Sequence, residues 1–200
     1  MENAVSKGEQ TRKQIVDTAY DLFVKQGYHG TSIRQIAERA GIALGGIYNH
    51  FSGKEKIFVA VLLEHYPIYE VIPALQASQG ETVEELIYSA AGLIVAAFDK
   101  RPEFMNLMFI EQVEFSGAHL LDLFNTFFPQ ILPFMQRLQQ RQAELRPIPV
   151  PLLIRAFVGL FISYSMTNVL IGDQIPDEMR RNALDHFVDI FLHGILREGQ

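Results

Sequence analysis

Apolar residues in this chain return every three or four positions almost throughout, and no segment alternates apolar with polar side chains. That periodicity constrains the fold more than any single motif does. A chain so patterned buries stripes on helices, so it predicts an all-α protein. Glycines and prolines then mark where the helices stop. The first spans about residues 9–26, with Ile15, Ala19, Leu22 and Phe23 on one face and Gly27 just past its end. "TSIRQIAERAG" predicts a short second helix. Ser32 is its N-cap, Gln35 completes a capping box, Ile33, Ile36, Ala37 and Ala40 face inward, and Gly41 stops it. "GIALGGIYNHF" follows as a third helix. "SGKEKIFVAVLLEHY" makes a fourth, with Ser52 and Glu55 as a second capping box.

Beyond Pro67 the punctuation loosens. Pro67, Pro73 and "QASQGET" predict a broken helix and then a connection. Thr82 with Glu85 opens a helix to about residue 100, and Pro102 suits the first turn of the next. Gly117 precedes a long helix containing Pro129 and Pro133, which are expected to bend it. "RPIPVP" reads as a loop, and two final helices over about 152–171 and 177–197 flank "GDQIP".

The bulk numbers exclude several classes. With no cysteine, disulfides and thiolate metal sites are impossible. The opening "MENAVSKGEQTRKQ" is polar, so no secretory signal and a cytoplasmic address are expected. "LLIRAFVGLFISYSMTNVLIG" is interrupted by Arg155, Ser163, Ser165, Thr167 and Asn168; a buried helix or a subunit interface is expected there, not a membrane span. "FSGKE" imitates the end of a phosphate-binding loop, but Tyr48 and Glu55 stand where that motif needs Gly and Ser or Thr. Neither HExxH nor Gly-x-Ser-x-Gly occurs, so no enzyme, cofactor or metal is expected.

The net charge of −6 speaks against nucleic acid only if it is averaged over the chain. Residues 1–56 hold eight basic against six acidic side chains, a balance of +2, and the remainder carries −8. Any phosphate-binding surface therefore belongs to the first quarter. That quarter contains helix, glycine turn, helix over residues 32–51, an arrangement whose second helix enters the DNA major groove. At about 100° per residue, Leu44, Gly45, Tyr48 and Asn49 share an arc of about 140°, while Ile47 points toward the first two helices. A glycine on that arc lets the backbone approach DNA closely. Gly46 lies off it and suits close helix packing.

Thr31, the Tyr48 hydroxyl, His50 and Lys54 are donors suited to phosphate oxygens. Lys54 also opens a helix whose backbone N–H groups favour an anion. Arg34 suits a phosphate or a guanine edge, Asn49 an adenine, and Leu44 a thymine methyl.

Residues 10–58, "TRKQIVDTAYDLFVKQGYHGTSIRQIAERAGIALGGIYNHFSGKEKIF" with its flanks, closely resemble the DNA-binding domain of the TetR (tetracycline-repressor) family. The resemblance implies a helix-turn-helix domain over residues 1–56, its fourth helix linking onward. A helical effector-binding and dimerisation domain over 57–200 follows. By matching position, Thr31, Ser32, Arg34, Ala43, Leu44, Gly45, Tyr48, Asn49, His50 and Lys54 fall at DNA-contacting or supporting positions. Two residues depart from the family pattern. Ala43 replaces the usual Ser or Thr cap, and Leu44 stands where a polar or basic residue is common.

The second region is rich in phenylalanine and methionine. Phe98, Phe104, Met105, Met108, Phe109, Phe124, Phe128 and Phe161 are candidates for an apolar effector pocket, with Gln112, Tyr164 and Asn168 as polar anchors. Glu111 is a further candidate anchor, and His119 with Asp122 resembles a metal-like pair that more simply meets solvent.

The last helix carries Leu184, Phe187, Val188, Phe191, Leu192 and Ile195. These residues are expected to form a homodimer interface, which the resemblance places in the final two helices. The partners expected are thus a double-stranded, palindromic DNA operator, a small apolar or aromatic effector and a second copy of the chain, with no membrane. By resemblance and connectivity, the effector is expected to tilt the fourth helix and spread the two recognition helices, and the resemblance implies a repressor. The competing reading is a helical small-molecule-binding protein whose helix-turn-helix no longer meets DNA. Salt-dependent DNA binding separates the two.

Overall fold

The computed structural model describes residues 6–101 and 103–196, with the backbone alone at 173, 179 and 181. Pro102 and Arg197, each expected near a helix end, lie outside the described residues. The fold is all-helical. In chain order the helices are α1 (Lys7–Gly30), α2 (Ile33–Arg39), α3 (Leu44–Tyr48), α4 (Lys54–His65), α5 (Ile68–Ala77) and α6 (Val83–Phe98). Then come α7 (Phe104–Phe115), α8 (Ala118–Gln140), α9 (Val150–Ile171), α10 (Asp177–Arg181) and α11 (Ala183–Ile195). The isolated bridge between Leu145 and Leu196 is the extended pairing seen among the described residues.

Local chemistry explains the boundaries, including those the sequence pattern misplaced. α1 starts two residues before the expected position because Ser6 and Glu9 form a capping box: the Glu9 amide donates to Ser6 Oγ, and the Ser6 amide to Glu9 Oε2. Gly27 takes φ +75°, so regular helix ends there even though a further turn runs to Gly30. The expected box between Ser52 and Glu55 does not form. α4 begins one residue later, behind Gly53, and has no side-chain cap. α9 begins at Val150, because Pro149 and Pro151 are tolerated around a helix start where no N–H bond is lost. The single final helix expected from the sequence is broken at Asn182 (φ −106°, ψ 6°) into α10 and α11.

The chain packs as two units. One holds the described residues up to Tyr66 together with Glu103–Phe124. Its core is Ile15, Val16, Ala19, Leu22 and Phe23 of α1, Ile36 and Ala37 of α2, Ile47 of α3 and Ile57, Phe58, Val61 and Leu62 of α4. Phe23 meets the Phe58 ring edge-on at 5.4 Å, and Phe115 of α7 stacks on Phe58 at 5.2 Å.

The other unit holds the described residues of 67–101 and 125–196. α6 is central, with Val83, Leu86, Ile87, Ala90, Ala91 and Ile94 packed among Phe134 and Leu138 of α8, Leu153, Phe157 and Phe161 of α9, and Val188, Leu192 and Ile195 of α11. Arg137 donates to the carbonyls of Leu75 and Ser78, and Arg141 to those of Gly80 and Glu81, closing the otherwise open end of α5.

Two stretches, Lys54–Ala77 and Val150–Ile171, are apolar and long enough to cross a membrane by length and composition. The first is two helices separated at Tyr66 and Pro67. The second is α9, which buries Leu153, Phe157 and Phe161.

Candidate nucleic-acid interface

The helix-turn-helix is built from both ends. Ser32 and Gln35 form the expected box at the start of α2, with the Gln35 amide 3.2 Å from Ser32 Oγ and the Ser32 amide 2.8 Å from Gln35 Oε1. At the other end Gly41 adopts φ +65°, the left-handed conformation that lets the Ile42 amide turn back to the Ala37 carbonyl at 2.9 Å. Gln14 Nε2 of α1 holds the Ala40 carbonyl at 2.8 Å. The turn is thereby fixed to α1 as well as to α2.

α3 is shorter than its sequence segment implied. Ala43 is its N-cap and supplies no side-chain hydrogen bond, while the amides of His50 and Phe51 both return to the Ile47 carbonyl. Ile47 is fully buried and anchors the helix. The opposite side is open: Leu44 is 46% exposed, Tyr48 54%, and Gly45 and Asn49 are exposed beside them. A Cβ built on Gly45 would meet nothing within 4 Å. One on Gly46 would lie 2.8 Å from Ile42 Cγ2. The adjacent glycines thus have separate reasons, open approach at one and close packing at the other.

This geometry makes a prediction. Gly46→Ala should lower the unfolding temperature even though alanine favours helix by ~1 kcal/mol, because overpacking costs ~1–3 kcal/mol. In an Ile42→Ala background the same change should become neutral or stabilising. A thermal-melt double-mutant cycle measures that coupling, and additive effects would refute the packing role.

Around this face, Ser32 and Arg34 are exposed, and His50 is half-buried. Arg34 forms a surface pair with Glu38 at 2.9 Å, an interaction weak enough to be exchanged for another anion. Thr31 and Lys54 are used differently from the sequence expectation. Thr31 is 1% exposed, and its hydroxyl donates to the Gly27 carbonyl. Lys54 Nζ turns inward to the carbonyls of Tyr28 and Thr31 at 2.7 and 2.8 Å. Sequence reasoning missed Arg12, whose guanidinium lies 5.0 Å above the Phe51 ring. No local motif signals such a pair, since the two residues are joined only by the fold.

The same unit contains a fully buried carboxylate, Glu111. It accepts from the His119 amide at 2.8 Å and faces His119 Nδ1 at 2.9 Å. His119 Nε2 lies 3.5 Å from Glu55, so this histidine joins two carboxylates. No group of three or more metal-ligating side chains converges among the described residues.

The candidate effector residues are divided between the two units. Phe104, Met105, Met108, Phe109, Gln112 and Phe124 belong to the first unit, and Phe98, Phe128, Phe161, Tyr164 and Asn168 to the second. Phe104, Met105 and Phe161 are buried as core, whereas Phe109, Gln112 and Phe124 are exposed. A narrow crevice enclosing about 10 Å³ in the second unit is lined by other residues, including Ile87, Phe134, Leu138, Phe157 and Phe191. Nearby in sequence but missed in the reading is the ion pair of Arg101 and Glu70, 2.6 Å apart. Its Glu70 Oε2 is buried without a hydrogen-bond partner among the described residues.

The dimer expectation also needs revision. Val188, Leu192 and Ile195 are buried in their own unit, and Leu184, Phe187 and Phe191 are half-buried. The apolar stripe left open lies on α9, where Val158, Ile162, Met166 and Val169 are 37–53% exposed; Ile190 of α11 is 72% exposed. Both helices carry strong stripes, and the sequence alone does not say which one the chain keeps for itself.

A buried anchor, a glycine-bent turn and an open α3 face define a helix-turn-helix. Residues 15–61 match the bacterial regulatory proteins of the tetR family. YvkB of Bacillus subtilis, described as an uncharacterized HTH-type transcriptional regulator, is 22% identical over 92% of this chain and 97% of its own length. The structure of NalD, the secondary repressor of the MexAB-OprM multidrug efflux pump in Pseudomonas aeruginosa, superposes with a TM-score of 0.69. It is 20% identical and is covered over 96% of this chain and all of its own. A SmeT–triclosan complex gives a TM-score of 0.66 at 18% identity, over 95% of this chain and 93% of that one. Residues 15–61 thus carry the helix-turn-helix domain of the tetR family of bacterial regulatory proteins. That family is not enzymatic.

Proposed function

We propose that this regulator is a ligand-responsive dimer that represses from a palindromic operator in the cytoplasm and is released by a small, mainly apolar effector. The observation that carries the DNA reading is the open face of α3, Leu44, Gly45, Tyr48 and Asn49, set against the buried Ile47. Leu44 and Asn49 read base edges. Tyr48, His50, Arg34 and Ser32, with the N-cap region at Ala43, meet the sugar–phosphate backbone. The open stripe of α9 supports association through a two-fold axis, which brings two α3 helices one DNA turn apart, ~34 Å.

The entirely apolar crevice of the second unit supports an effector recognised chiefly by burial. Its enclosed space of about 10 Å³ is far below the ~300–1,000 Å³ of ordinary ligand pockets, so on this reading the effector selects a wider state of the unit. NalD's description as a repressor and SmeT's capture with triclosan are in keeping with this reading. Release follows if the effector favours a spacing of the two α3 helices that a single DNA turn does not match.

The test is selection of bound sequences from a random DNA pool, followed by affinity measurements at 50 and 200 mM salt. A palindromic consensus is expected, with affinity falling ~10³-fold or more across that range if six phosphates are contacted. No enriched sequence and no salt dependence would leave a helical binding protein whose helix-turn-helix does not engage DNA.

A further inference from the structure

The Lys54 ammonium has three N–H donors and no acceptor. Two are met by backbone carbonyls, Tyr28 O at 2.7 Å and Thr31 O at 2.8 Å. The Tyr28 ring then lies 4.0 Å from Nζ, placing an aromatic face against the remaining side of the charge. Two of its three donors are therefore engaged by backbone inside the protein, and an aromatic face lies against the charge, although the side chain stays partly exposed. Partial burial pushes its pKa down, against the pull of nearby Glu114.

The carbonyls it holds are not arbitrary ones. Gly27, at φ +75°, swings the chain out of regular helix, and the Tyr28 carbonyl also accepts from the Thr31 amide at 3.2 Å. Thr31 is buried, its hydroxyl bonded to the Gly27 carbonyl at 2.9 Å, and it immediately precedes Ser32, the N-cap of α2. Lys54 is itself the first residue of α4. Its side chain thus joins the start of α4 to the start of α2, the two elements between which α3 is suspended.

We propose that Lys54 is a positioning residue that sets the distance between α2 and α4, and so the presentation of α3 to DNA, and that it does not itself neutralise a phosphate. This inference rests on the DNA-binding reading above. It assigns the phosphate contacts instead to exposed donors such as Arg34.

Two chemistries separate the roles. A phosphate ligand contributes about −0.9 to the slope of log affinity against log salt, whereas a residue acting through the backbone contributes nothing to it. Arginine replaces lysine well at a phosphate, but its planar fork does not fit a site built for a compact ammonium.

The experiment is a salt titration of operator binding for the full-length protein, Lys54→Met, Lys54→Arg and Arg34→Met, below the melting temperature of each. Expected is at least a tenfold loss of affinity in both Lys54 variants with the wild-type slope retained, while Arg34→Met flattens the slope by about one. A slope reduced by about one in Lys54→Met and restored in Lys54→Arg overturns the proposal. So does unchanged affinity with a lowered melting temperature, which would make the cradle structural only. Should Lys54→Met fail to fold, the wild-type protein labelled with 15N-lysine decides. The Lys54 ammonium resonance should be slow to exchange and unmoved when operator is added, and a displacement on binding refutes the assignment. A wild-type protein without salt-dependent DNA binding removes the parent reading, and this inference falls with it.

Discussion

On the proposed two-fold association through α9, replacing Ile162 with glutamate should leave a folded monomer. Ile162 is 50% exposed in the single chain and lies mid-stripe between Val158 and Met166. A carboxylate there meets water in the monomer but would be desolvated against a second copy. Light scattering at micromolar concentration should report half the wild-type mass. Affinity for a two-half-site operator should fall by ~10²–10⁴, the gain normally conferred by linking two sites. Val188→Glu provides the contrast: Val188 is fully buried within its own unit, so that variant should lose the fold. An unchanged mass for Ile162→Glu would mean that α9 is not where the copies meet.

Gly45→Ala should separate stability from function in the opposite sense. Gly45 sits inside α3 with open space around its missing side chain, so alanine should stabilise the domain by up to ~1 kcal/mol. For a chain of this length that is a rise of ~2–4 °C in melting temperature. On the proposed reading the added methyl stands on the face offered to DNA, where it would hold the backbone off the groove. At least a tenfold loss of operator affinity is expected, ~1.4 kcal/mol. A variant that melts higher and binds equally well would show that close approach at this position is unimportant.

What could be read from the sequence followed the range of the interactions involved. The face of α3 was legible because helical spacing puts Ile47 off the arc of Leu44, Tyr48 and Asn49, and its burial fixes where they point. The turns at Gly27 and Gly41 were legible for the same reason, since a positive φ is a local property of the residue type. Lys54 was not. Its partners lie 23 and 26 positions away, and nothing in "SGKEK" distinguishes an inward ammonium from an outward one. The Ser52–Glu55 box failed because the spacing rule cannot tell which of two neighbouring residues begins the helix, and Gly53 does. Val188, Leu192 and Ile195 satisfied the pattern of an interface and of a core equally well; only packing against Leu86, Ile87 and their neighbours assigned them to the core. The effector residues were least legible, since phenylalanine and methionine fill interiors and line pockets alike.

The grouping of Glu103–Phe124 with the first 66 residues bears on how this protein can be cut and rejoined. Phe115 meets the rings of Tyr28 and Phe58, and Glu114 pairs with His29. A hybrid regulator spliced once, after the fourth helix, would set those aromatic surfaces against a foreign neighbour. An exchangeable DNA-reading head from this chain needs three splice points, with the segment carrying Phe115 transplanted alongside the α1 and α4 rings it meets.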